Sequence, residues 1–215
     1  MSTPLELHDA PAPLGSTGRS RAARLARMSA ILEIPEVRRR ISHLTVEEYH
    51  RLDEFNENGR RTELIRGIVI EKMAKSPLHR LVASLLYQLL LQCLPAGFCV
   101  WKEEPITLAD SEPEPDISVT RGSPRDYGKS HPRTAELVVE VAVSSAALDR
   151  ESASLYAEAG VQEYWIVLAS DRQVEVYRQS VGGIYQEKKL FRADETIECA
   201  GVPGVRVRVS DLFPN

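Results

Sequence analysis

Two acidic residues stand where their chemistry needs company. Glu140 lies inside the apolar run Leu137-Val138-Val139-Glu140-Val141-Ala142-Val143, and Asp116 precedes it by 24 residues in Glu114-Pro115-Asp116-Ile117. An ionised carboxylate in a half-buried strand costs several kcal/mol, roughly, unless a cation, a proton or hydrogen bonds compensate it. Side chains alternate along a strand, so Glu140 faces away from Leu137, Val139, Val141 and Val143 and shares its face with Val138 and Ala142. Two such carboxylates on neighbouring strands, over a floor of small side chains, would make a site for a divalent metal ion. A turn aspartate for Asp116, and an ion pair of Glu140 with Arg133 or Lys102, are the plain structural alternatives.

Other motif classes fail. There is no G-x-S-x-G elbow, no phosphate-binding glycine loop and no dinucleotide fingerprint. The histidines at 8, 43, 50, 79 and 131 show no zinc spacing, and Cys93, Cys99 and Cys199 contain no C-x-x-C pair. Three cysteines without a pairing pattern predict reduced thiols and a cytoplasmic protein. No stretch approaches the roughly 18 apolar residues of a membrane span. The longest candidate, Leu81 to Leu94, is interrupted by Ser84, Gln88 and Gln92.

The elements that must position the acids are legible in outline. Thr45-Val46-Glu47-Glu48 is a capping-box pattern that opens a helix to about Asn56, stopping near Gly59. Glu63-Leu64-Ile65 and Ile68-Val69-Ile70, joined through Arg66-Gly67, predict a hairpin. Ser76 as N-cap and Pro77 at the first helical position start a second helix with an apolar face of leucines up to Pro95. Strands are expected at about 98–108, 115–120 and 135–143, then a helix from Leu148 or Asp149 to Gly160, a buried strand at 164–168, and C-terminal strands at 172–179, 184–191, 195–199 and 205–209. That order is α+β, or mixed α/β, with helices flanking a central sheet.

The net charge of -4 is unevenly divided. Seven arginines against four acids give residues 1–42 a charge of +3 and leave the rest at -7. The N-terminal 1–42 is expected to be a disordered or loosely ordered Arg-rich extension, with Met28 a candidate translation start, and 43–215 the folded domain. An acidic body weakens nonspecific attraction to phosphate backbones.

Pro115-Asp116, Glu140-Val141-Ala142-Val143-Ser144-Ser145, Asp149-Arg150-Glu151 and the segment Leu155-Tyr156-Ala157-Glu158-Ala159-Gly160-Val161-Gln162-Glu163-Tyr164-Trp165-Ile166-Val167, in that order, resemble the Uma-two restriction endonuclease family of the PD-(D/E)xK nuclease superfamily. The likeness runs from about Leu44 to Val176. It implies a restriction-endonuclease-like αβββαβ core with extra C-terminal strands, Asp116 and Glu140 on adjacent central strands, and a hydrolase that cleaves DNA phosphodiesters with Mg²⁺ or Mn²⁺ as a homodimer. It makes Asp116, Glu140 and Glu63 the expected metal ligands and catalytic acids. Glu63 has a role as cross-strand partner of Arg66 or Lys72 as its alternative, and His79 matches a further family position.

One departure is chemical. The motif lysine would fall at position 152, four residues before Tyr156, and this chain has Ser152. Loss of such a group typically costs on the order of 10² to 10⁴ in rate, so activity is expected to be weak or lost unless Arg150 or Lys102 supplies the cation. A nuclease-fold binding or regulatory module that no longer cuts is the second reading, and a purely structural interaction domain the third. Asp149 has an alternative role as a helix N-terminal charge. Tyr156, Tyr164 and Trp165 are expected in the core rather than as stacking platforms for bases.

Overall fold

Thr45 caps its helix as the pattern predicts. Its hydroxyl accepts the Glu48 main-chain N–H at 3.2 Å, while Glu48 Oε2 accepts the Thr45 N–H at 2.9 Å, which satisfies two donors the helix start leaves open. The computed structural model describes residues 30–53, 61–144 and 146–214. Expectations for residues 1–27, for Met28 and for the helix end near Asn56 and Gly59 lie outside them. The chain divides between Ser42 and His43. In the first unit, Pro35–Arg38 forms a short helical turn.

In the second unit, α1 (Val46–Asp53) leads to a hairpin of β1 (Thr62–Ile65) and β2 (Ile68–Glu71). Its two-residue turn puts Arg66 at φ 52° and Gly67 at φ 74°, the paired left-handed geometry that matches strand twist. Gly67 is needed twice over, because a Cβ there would stand 2.6 Å from the Cβ of His43. The hairpin is pinned to the body by reciprocal main-chain bonds of Leu64 and Glu112 and by the bidentate Arg66–Glu158 pair, at 2.5 and 2.7 Å.

Ser76 and Pro77 open α2 (Pro77–Cys93), the Ser76 hydroxyl accepting the His79 N–H. A six-stranded sheet follows, in the spatial order β3 (Phe98–Lys102), β4 (Ile117–Arg121), β5 (Leu137–Ala142), β6 (Glu163–Leu168), β7 (Gln173–Val181) and β8 (Ile184–Phe191). All neighbours are antiparallel except β5 and β6. A parallel pair needs a crossover, and α3 (Ala147–Glu158) provides it. The element order α2, β3, β4, β5, α3, β6 is the expected α-β-β-β-α-β, and a small sheet of β9 (Thr196–Glu198) and β10 (Arg206–Arg208) extends it.

The expected strand 98–108 is shorter. It ends at Lys102 because Glu103 adopts φ 56° and Pro105, two residues on, has no N–H to offer a ladder.

Alternation sorts the sheet residues into two cores. Leu137, Val139 and Val141 pack with Val82, Leu86 and Leu90 of α2 on one face, and Val138 and Ala142 with Tyr156 of α3 on the other. A fully buried leucine contributes roughly 1.5–3 kcal/mol, so α2 is held mainly by its apolar stripe. Tyr156, Tyr164 and Trp165 are fully buried, as expected of core residues. Among the described residues no helix is long and apolar enough to cross a membrane, and the three cysteines are unpaired.

Candidate active site

The β4–β5 ladder fixes where the two acids meet. Ile117 lies opposite Val139, so the next pair outward is Asp116 and Glu140, and directly opposed residues of an antiparallel pair project to the same face. Asp116 stands one residue before the start of β4. Its main-chain N–H donates to Glu140 Oε2 at 3.3 Å, and its own Oδ2 accepts the main-chain N–H of Val141 at 2.8 Å. The end of β3, the start of β4, the end of β5 and the first turn of α3 all come to this one end of the sheet, which is why residues distant in sequence gather there.

Asp116 is buried and well supplied with donors. Lys75 Nζ lies 2.6 Å from Oδ1 and His79 Nε2 2.9 Å from Oδ2. Burial works to raise its pKa, but His79 and Lys75 outweigh burial and hold the carboxyl below the usual aspartate range. Burial likewise works against the Lys75 ammonium, and Asp116 and Glu103 outweigh it. His79 Nδ1 is buried without a hydrogen-bond partner among the described residues.

Glu140 has the opposite electrostatics. The Tyr156 hydroxyl donates to its Oε1 at 3.1 Å, but no ion pair to Glu140 occurs among the described residues. Neither Arg133 nor Lys102 pairs with it. Lys102 Nζ instead donates to Ser84 Oγ on α2 at 3.2 Å. Burial, then the negative charges of Asp116 and Asp149, push the Glu140 carboxyl well above the usual range. Asp149, in the first turn of α3, is pushed up to about 6 by burial and then by Asp116 and Glu63.

Glu63 stands on β1 beside the group. Its Oε2 accepts the Glu114 N–H at 3.4 Å and lies 3.5 Å from Lys72 Nζ, the cross-strand partner considered for it. Among the described residues, no group of three or more His, Cys, Asp or Glu is placed to hold a metal ion, so the three expected ligands Asp116, Glu140 and Glu63 do not stand together as a preformed triad.

Arg150 points elsewhere. Its guanidinium makes a bidentate contact with Glu175 on β7, with Nη2 2.8 Å from Oε1. Ser152 turns its hydroxyl back to the Leu148 carbonyl at 3.0 Å. The amine nearest Asp116 is therefore that of Lys75, which sequence reasoning overlooked. It also took Asp149 mainly as a helix charge and Tyr156 only as core. The signal available was helical spacing, because Asp149, Ser152 and Tyr156, at i, i+3 and i+7, share one face of α3.

The residues present suit one hard cation. A carboxylate offers about four lone-pair positions. Three donors approach Asp116 and two approach Glu140, which leaves each with an oxygen electron pair to give. Mg²⁺ commonly takes one or two carboxylates and keeps several waters, so a pair suffices where a triad is absent. The burial and mutual repulsion that push the Glu140 and Asp149 carboxyls up are what such an ion would relieve.

A family model described as "Uma2: Putative restriction endonuclease" matches residues 46–210. No curated protein matches the chain. Among solved structures, a crystal structure of a putative nuclease belonging to DUF820 from Anabaena variabilis ATCC 29413 superposes with a TM-score of 0.67 at 21% identity, covering 79% of this chain and 97% of that one. At that identity the likeness is one of fold.

Proposed function

From the chain's membership of the Uma2 family of restriction-endonuclease-like proteins, matched over residues 46–210, we propose that it is a Mg²⁺- or Mn²⁺-dependent endonuclease that hydrolyses DNA phosphodiesters. The observation that carries this reading is the opposition of Asp116 and Glu140 across the β4–β5 register, with Glu140 in no ion pair among the described residues. These two carboxylates would hold the ion. When bound, the ion lowers the pKa of a coordinated water and stabilises charge on a phosphodiester oxygen.

The chain's own residues prepare that centre. The Val141 N–H and His79 fix the rotamer of Asp116, and the Tyr156 hydroxyl fixes that of Glu140. Glu63 and Asp149 add negative charge around the pair without joining it. Lys75 takes the place of the lysine that the family motif sets at position 152, because its ammonium already stands at Asp116 Oδ1. There it orients the attacking water and faces the charge that develops on the phosphate.

The test is Mg²⁺-dependent cleavage of plasmid DNA by the purified chain. Parent protein that nicks or linearises plasmid with Mg²⁺ or Mn²⁺ and not with EDTA, and a Lys75→Ala variant slower by about 10² to 10⁴, is the expected result. Parent protein inert with both ions defeats the reading.

A further inference from the structure

Beside the carboxylates lies a cavity of about 470 Å³, lined by Arg61, Lys72, Lys75 and Arg80 together with the acids Glu71 and Glu103. That volume is in the range of built ligand sites, about 300–1,000 Å³. Four cations converge on it in a domain whose overall charge is acidic. The side chains of Lys72 and Lys75 are only 13% and 17% exposed. Long charged side chains are rarely so deeply placed without a function or a partner.

The cations are held in position. Glu103 and Glu114 grip the Arg61 guanidinium at 3.1 and 2.9 Å, leaving its side chain half exposed. Lys72 Nζ donates to the Glu114 carbonyl at 2.6 Å. Arg80, on the first turns of α2, is exposed and makes no ion pair among the described residues. Lys75 belongs to both places, because it lines the cavity and also bonds Asp116 and Glu103. Lys75 therefore connects the cavity to the Asp116 carboxylate.

We propose that this cavity binds a backbone phosphate of a nucleic-acid strand, the one flanking the phosphodiester that faces Asp116 and Glu140. Arg80 and Arg61 make the contacts at its outer rim, and Lys75 marks its inner end. The choice of ligand rests on the nuclease reading, whereas the cluster of cations does not. A positioned phosphate would also explain how an acidic domain holds a polyanion, since the contact is local rather than a matter of net charge.

Fluorescence anisotropy of a fluorescein-labelled duplex oligonucleotide, measured in EDTA over a series of salt concentrations, tests it without any cleavage. Replacing one phosphate-contacting arginine should weaken binding evenly across sequences and lower the salt slope by about 1. In practice the affinity lost between about 50 and 200 mM salt shrinks by roughly threefold for each contact removed. Arg80→Ala and Arg61→Ala should each show this, and Arg80→Lys should keep the parent slope. Unchanged affinity and slope in both alanine variants overturns the proposal. Millimolar inorganic phosphate should also displace the duplex from the parent more readily than from Arg80→Ala, because both ligands then contend for the same cations. The two readings fail separately. Parent protein that binds through Arg80 but never cuts sinks the nuclease reading alone, and parent protein that cuts while binding independently of Arg61 and Arg80 sinks the phosphate site alone.

Discussion

The main-chain N–H of Asp116 donates to the carboxylate of Glu140 across 3.3 Å, and Asp116 returns the contact by accepting the N–H of the residue after Glu140. This reciprocal pairing places two acids with opposite electrostatics at one sheet end. Asp116 contacts Lys75 and His79 directly, whereas Glu140 accepts from the Tyr156 hydroxyl and the Asp116 N–H and makes no ion pair among the described residues. The imbalance is costly to the ion-free fold.

Glu140→Gln should therefore stabilise the protein in EDTA while removing its response to metal. The folded-state pKa of Glu140 lies above its unfolded value, so as pH rises above the ordinary glutamate value of 4.5 the fold loses stability that a neutral amide does not lose. A gain of about 1 kcal/mol would raise the melting temperature by roughly 2–4 °C for a chain of this size. Thermal denaturation in EDTA and in Mn²⁺ checks both halves. A variant that melts lower than the parent in EDTA contradicts the account.

Glu175 predicts the opposite pH dependence. Burial works to raise its pKa, but hydrogen bonds from Arg150, Lys188 and Tyr177 prevail and hold it at about 2. A depressed folded pKa gives stability that is present above the ordinary glutamate value of 4.5 and is lost as pH falls from there toward about 2. Urea denaturation of the parent and of Glu175→Gln should show the parent ahead at pH 6, with the gap closing below pH 4.5. A gap that stays constant down to pH 3 would show that Arg150 draws no stability from the ionised form.

Ser152 offers a rescue experiment. It lies three residues after Asp149 and four before Tyr156, on the helix face that looks toward Glu140. Plasmid cleavage by Lys75→Ala should fall by about 10² or more, and the double variant Lys75→Ala/Ser152→Lys should recover part of the loss. If Ser152→Lys restores nothing while folding normally, the two positions do not serve one role.

Local chemistry was legible, and convergence was not. The Thr45 and Ser76 caps, the Arg66-Gly67 turn and the facing of Glu140 with Val138 and Ala142 all follow from short-range rules, and each stands as read. The end of β3 was misjudged because Glu103 takes a left-handed conformation that favours glycine, which no propensity announces. The expectation that Arg150 would stand in for the lysine rested on its place at the start of the same helix. Adjacent helix residues point about 100° apart, which sends Arg150 to Glu175 while Asp149 faces the acids. Lys75 had no motif to mark it, and it reaches Asp116 only because the hairpin, the Ser76 cap and the sheet end are brought together in the fold.

The most direct measurement is calorimetric titration of Mn²⁺ into the metal-free parent and into Asp116→Asn, which keeps an oxygen for the Val141 N–H. The account predicts one saturable site in the parent and none in the variant. No binding in the parent, or equal binding in both, would contradict it.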